Sequence, residues 1–224
     1  MEESSDLGLY SSSEIYYNGF MNSSTEFPAG GRRDRRRLET QSRILEAAEA
    51  LFEARGYEQV KVSEICERAD VAYGTFFNHF PEKRDALRAL SARSVAEVAQ
   101  RLELLAEQDG SIEDLLGDLF ETSFAYEELS QGRRELIGRI QAIAYAEAAA
   151  EHDQHFQAAF EGFLADCVAR GKVRDDVPVA TLADILASTF ASLSLSFVHF
   201  EDFPIQERSA AAVRFLAHSI QPDP

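Results

Sequence analysis

The sequence predicts an all-α fold, and three observations carry that prediction. Apolar residues recur three and four positions apart along almost the whole chain after residue 37, the pattern of one buried stripe per helix. Period-two alternation bounded by turn residues, the mark of strands, is absent. Gly, Pro and short polar clusters break the stripes at intervals that suit helix lengths.

The elements follow in order. From Leu38 to Arg55 one stripe holds Leu38, Ile44, Leu45, Ala48, Leu51 and Phe52, and Gly56 supplies the stop. Two short helices are expected over 62–69 and 73–79. Asp70 falls in the tight connection between them, where a short polar side chain tolerates left-handed backbone. Pro81 then opens a long helix reaching about Glu107, with Glu82 and Asp85 near the positive end of its dipole. Beyond "QDGS", helices are expected near 111–129, 132–149 and 152–171. "GKVRDDVP" is a break, and two long helices then fill about 178–200 and 205–219. Residues 1–31, rich in Ser, Asn and Gly, read as a disordered tail.

Composition narrows the class. The 224 residues carry a formal charge of −17, distributed unevenly. Residues 1–31 hold five acids and no base, 32–91 hold twelve bases against eleven acids, and 92–224 hold ten bases against twenty-three acids. A polyanion is repelled by the bulk and tolerated only at 32–91, where "RRDRRR" at 32–37 forms the basic peak. Cys66 and Cys167 lie far apart without metal-ligand spacing, which points to two buried thiols in a reducing compartment. No apolar run is expected to reach membrane-span length, and the N-terminus lacks a secretion pattern, so a cytoplasmic protein with no membrane partner is expected.

The stretch "VSEICERADVAYGTFFNHF" at 62–80 carries the functional signal. In a helix over 73–79, Phe76 and Phe80 share one face and can pack against Val62, Ile65 and Ala69 and against Ile44, Ala48 and Phe52. Gly74 and Asn78 then point outward, flanked by Thr75 and Phe77, with Tyr73 and His79 at the margins. Solvated faces usually carry Lys and Glu, yet no charged residue stands between Asp70 and Glu82. A neutral, hydrogen-bonding, partly aromatic surface suits base edges in a major groove, and nearby cations suit phosphates. The unit is a three-helix bundle with a helix-turn-helix in its second half.

With "RILEAAEALFEARGY" and "VSEICERADVAYGTFFNHFPEKRDAL" on the page, the chain resembles the TetR family of transcriptional regulators over about 40–87. Ile65, Val71, Gly74, Thr75, His79, Phe80 and Lys83 match the family pattern. The resemblance implies that Tyr73, Thr75 and Asn78 approach base edges beside Gly74 and Phe77. It implies that His79 and Lys83 hold phosphates and that Ser63 reaches the groove or backbone. Lys61, and Arg35 and Arg36 within the basic arm, are further phosphate or minor-groove candidates. The chain departs from the pattern in places. Phe77 stands where the family usually has Tyr, and Ala72 where a Ser commonly caps, a loss of about 1 kcal/mol. Val60 and Lys61 replace a usual Thr pair, and Cys66 a usual Ala.

The resemblance further implies three segments: the acidic tail 1–31, a DNA-binding unit over 32–91, and a helical effector-binding and dimerisation domain over 92–224. Effector candidates are Phe120, Phe124, Arg139, Tyr145, His155, Phe156, Phe160 and Phe190. The last two helices are expected to pair with a second copy through Leu186, Phe190, Leu193, Phe197, Val213 and Leu216. His152 and His155 stand one turn apart without an evident third ligand, so no metal or other cofactor is expected. The implied function is a dimeric regulator, a repressor released from a palindromic double-stranded operator by a small-molecule effector. The long helix after Pro81 would act as transmitter. Two alternatives stay open here: a helical small-molecule-binding protein or enzyme without DNA readout, and a structural module docking through 178–219. Neither a nucleophile elbow, a phosphate-binding glycine loop nor HExxH supports the enzyme.

Overall fold

The apolar stripes become nine helices among the residues that the computed structural model describes, 32–124, 130–151 and 155–222, leaving aside the side chains of 145, 147–151 and 155. They are α1 (Arg32–Arg55), α2 (Val62–Arg68), α3 (Tyr73–His79), α4 (Lys83–Ala106), α5 (Ile112–Ser123), α6 (Gln131–Glu151), α7 (His155–Ala169), α8 (Val179–His199) and α9 (Ile205–Ile220). No strand occurs among the described residues. The expected tail 1–31, residues 125–129 and His152 lie outside them.

Local chemistry sets the turns as expected. Gly56 takes φ +80° after α1, and Asp70 is the one described non-glycine residue at positive φ, at +51° between α2 and α3. The Asp85 carboxylate accepts the Glu82 backbone N–H at 2.8 Å, which fastens the start of α4 two residues after Pro81. Ser111 and Asp114 make the reciprocal pair at α5. Two boundaries differ most: α5 stops at Ser123, short of the expected 129, and α1 begins at Arg32 and not at Leu38, so the basic arm is helical and its side chains are exposed. Charged side chains do not stop a helix when Arg, with high helix propensity, supplies most of them.

From Leu38 onward the chain forms one compact unit built on two apolar cores. The first gathers Ile44 and Phe52 of α1, Ile65 of α2, Phe76 of α3, and Ala86, Leu87 and Leu90 of α4. Leu136 and Ile140 of α6 complete it. The second holds Leu102 and Leu105 of α4 with α5, α7, α8 and α9, and Ile137 of α6 packs against it. Two helices, α4 and α6, therefore serve both neighbourhoods, and α4 runs unbroken through the expected boundary at 91 and 92. The approach of α6 to α1 is backbone-close. A Cβ on Gly132 would stand 2.0 Å from the Glu53 carbonyl oxygen, so only glycine fits there.

α8 corrects the expectation about membrane-length segments. Its 21 residues are long and apolar enough to span a bilayer by length and composition. Its Ser and Thr residues break every pure apolar run in the sequence while leaving mean hydropathy high. In the fold, Leu182, Ala183, Leu186, Ala187 and Phe190 of this helix enter the second core.

Beside the close contact of α1 and α6 sits a charge cluster. Arg93 of α4 pairs with Glu49 of α1 at 2.5 Å and with Glu97 at 3.5 Å, and Arg133 of α6 pairs with Glu53. Burial pushes the Glu97 carboxyl up to about 7, with Arg93 and Arg133 opposing the rise and Glu49 adding to it. A carboxyl raised on folding binds its proton more tightly in the folded state, so stability falls as pH climbs from the ordinary carboxylate range to the raised value. Thermal unfolding of wild type and Glu97→Gln across pH tests this. The midpoints should coincide near pH 4.5, diverge in favour of Gln up to about pH 7.5, and hold a constant gap above it. A gap independent of pH would contradict the assignment.

Candidate nucleic-acid interface

Seven residues are too few for a helix to stand alone, so packing decides how α3 is oriented. Phe76 is wholly buried and Phe80 nearly so, their rings 5.7 Å apart within the first core. That anchoring turns Tyr73, Gly74, Phe77 and Asn78 to solvent and leaves Thr75 and His79 half-buried, as the spacing predicted. Ala72, the residue before the helix, brings no capping side chain, and its carbonyl accepts the Thr75 N–H at 2.8 Å. Tertiary contact has to supply the stability that a capping serine would have added.

α2 presents Ser63 and Lys61 to solvent at its start. The Glu64 carboxylate accepts the Lys61 backbone N–H at 2.8 Å and takes Arg55 at 2.6 Å. The Arg55 hydrogen bond is the main reason the Glu64 carboxyl is held below its usual range. This pairing ties the end of α1 to the start of α2 and fixes the angle between them.

Lys83 is placed differently from a simple phosphate ligand. Its ammonium donates to the carbonyls of Tyr57 at 2.8 Å and Val60 at 3.0 Å, and it lies 4.2 Å from the Tyr57 ring centroid. Partial burial lowers its pKa. An ammonium has three donors, so one stays available beyond the two that fasten the α1–α2 connection. Arg139 reaches the same tyrosine from α6. Its guanidinium stands 5.0 Å from the Tyr57 centroid and pairs with Glu58 and Glu135, each at 3.0 Å. Tyr57, which the sequence reading passed over, is thus the ring on which two cations from later helices converge. Its place directly after the Gly56 stop was the available signal.

The expected effector residues divide. Phe120, Phe124, Phe160 and Phe190 meet ring to ring in the second core, with Phe124 and Phe190 stacked at 5.3 Å and Phe156 joining Phe160 at 5.0 Å. Arg139 does not join them, because it is held at Glu58 and Tyr57 beside the first core. The side chains of Tyr145 and His155 lie outside those described. Gln141 of α6 donates to Ser194 of α8.

The expected dimer residues lie mostly inside this chain. Leu186, Phe190, Phe197, Val213 and Leu216 are buried within this chain, and Leu193 is half-buried against the same core. The outward face of the last two helices carries other residues: Ile185, Ser188, Ser192 and Leu195 on α8, and Ala211 and Phe215 on α9. Among the described residues Phe215 is the most exposed of the large apolar side chains, at 71%. α8 is apolar or small nearly all round, so periodicity identified a stripe but chose the inner one. Cys66 and Cys167 are buried free thiols as expected, and burial pushes Cys167 up to about 11.

With this geometry in view, known proteins supply a consistent comparison. Residues 44–90 match the family described as bacterial regulatory proteins, tetR family. The chain is 41% identical over 63 residues to the HTH-type transcriptional repressor KstR of Rhodococcus jostii, covering 28% of this chain and 30% of that protein. It is 27% identical over 138 residues to KstR of Mycobacterium tuberculosis, covering 62% of each. The matches therefore span less than two thirds of these relatives. Among solved structures, a transcriptional regulator FadR from Bacillus subtilis in complex with stearoyl-CoA superposes with a TM-score of 0.55 at 20% identity, over 80% of this chain and 99% of that one. That likeness establishes the shared fold.

Proposed function

The chain belongs to the TetR family of transcriptional regulators, and on that premise we propose that it is a dimeric repressor of transcription, acting in the cytoplasm, that leaves its operator when a small apolar molecule binds. The observation that carries this reading is the α3 surface: four outward residues without a charge among them, held by two buried phenylalanines. Such a face suits base edges. Lys61, Ser63, His79 and the remaining donor of Lys83 are the phosphate candidates around it, and Arg35 and Arg36 of the basic arm are carried as further phosphate candidates.

Residues 32–91 form the reading unit in this proposal, and 92–224 receive the effector and the second copy. The aromatic cluster of Phe120, Phe124, Phe156, Phe160 and Phe190 supports an apolar effector. KstR is a named repressor and FadR was solved with an acyl-CoA, which supports ligand-controlled repression over an enzyme. One recognition helix reads too few base pairs to mark a genomic site, so two copies on a palindrome are required. Effector binding would favour a dimer whose recognition helices no longer match the half-site spacing.

A mobility-shift assay on the DNA upstream of the chain's own gene tests the reading. Wild type should give a salt-sensitive, sequence-dependent shift, and Asn78→Ala and Tyr73→Ala should each bind at least tenfold more weakly, within the range of a lost base contact. Variants indistinguishable from wild type would reject base readout. The dimer face is tested by sedimentation. Phe215→Glu should convert a dimer of wild type into a monomer, whereas a dimer persisting in that variant would move the interface elsewhere.

A further inference from the structure

We infer that α3 reads at least one A·T base pair in each half-site, with the 5-methyl group of thymine lodged against the paired rings of Tyr73 and Phe77. This rests on the reading of α3 as the major-groove helix and adds which bases it selects.

The ring pair is a built feature. Tyr73 and Phe77 stand four residues apart with centroids at 5.1 Å in an edge-on arrangement, and they are 58% and 39% exposed. Phe77 also meets the wholly buried Phe76 edge-on at 5.4 Å. The outer ring is therefore held by the core and by the preceding turn, leaving an apolar wall of set orientation facing solvent. Beside it the backbone is open, since a Cβ on Gly74 would meet nothing within 4 Å.

In the major groove the one apolar group that a base pair offers is the thymine methyl. The commonest specific reader of guanine is a bidentate Arg or Lys, and neither residue occurs between Asp70 and Glu82. Asn78, exposed next to Phe77, carries the amide that suits adenine N6 and N7. Ring wall and amide thus stand side by side as the methyl group and the adenine edge do on one A·T pair or on neighbouring pairs. Phe77 lacks the hydroxyl that would otherwise draw this position toward a phosphate.

The test begins with selection of a binding duplex from a random-sequence pool by the full chain. Each thymine of the selected duplex is then replaced by 2′-deoxyuridine, which deletes only the methyl. At one position per half-site the replacement should weaken wild-type binding about fourfold, the worth of one buried methyl, and about fifteenfold when made in both half-sites. In Phe77→Ala the same replacement should change affinity less than twofold, while Phe77→Leu, which keeps an apolar wall, should retain the sensitivity. An enriched sequence whose deoxyuridine forms all bind wild type equally would overturn the inference while leaving DNA reading intact. So would equal losses in wild type and Phe77→Ala. Failure to enrich any sequence would remove the DNA reading itself, and this inference with it.

Discussion

The burial of Phe76 and Phe80 is the constraint on which the outward face of α3, and with it the proposed function, depends. A seven-residue helix without a capping side chain has little stability of its own, and α3 exists because two aromatic rings on one face enter a core supplied by α1 and α2. Once those rings are inside, helical geometry leaves no choice about Tyr73, Gly74, Phe77 and Asn78. The same contact sets stability and function together. Replacing a core ring should disturb the outward face as surely as replacing a residue on it.

That core is not closed by the first four helices alone. Leu136 and Ile140 of α6 complete it, Gly132 lets α6 touch the α1 backbone, and Arg139 of α6 meets Lys83 of α4 across the Tyr57 ring. A change in the aromatic cluster of the larger core has two physical routes to the helices that hold α3, through α4 and through α6. The sequence suggested the first by length and position. The second depends on contacts between residues some eighty positions apart, which no local pattern announces.

Legibility followed the range of the interaction. Turns and helix bounds were readable because Gly56, Asp70, Pro81 and the first-turn acids act within a few residues of themselves. The outward face of α3 was readable because its two faces differ sharply in chemistry. The exposed stripe of α8 was not, since Ala, Ser, Leu and Ile cover both sides and only the packed neighbours reveal which side is spare. Lys83 is assigned to phosphate by the family resemblance, and Arg139 to the effector as a polar residue near the aromatic stripes. In the fold Lys83 meets two carbonyls, Arg139 meets two carboxylates, and both meet the Tyr57 ring. The start of α1 was missed for a related reason, a basic run being read as an arm where helix propensity continued it.

Side-chain oxidation footprinting of the full chain with and without saturating upstream duplex tests the central claim most directly. Tyr73 and Phe77 should lose most of their labelling when the duplex is added, while the exposed Phe200, directly after α8, keeps its own. Unchanged labelling of Tyr73 and Phe77 on a demonstrably bound duplex would show that the α3 face is not where this protein meets DNA.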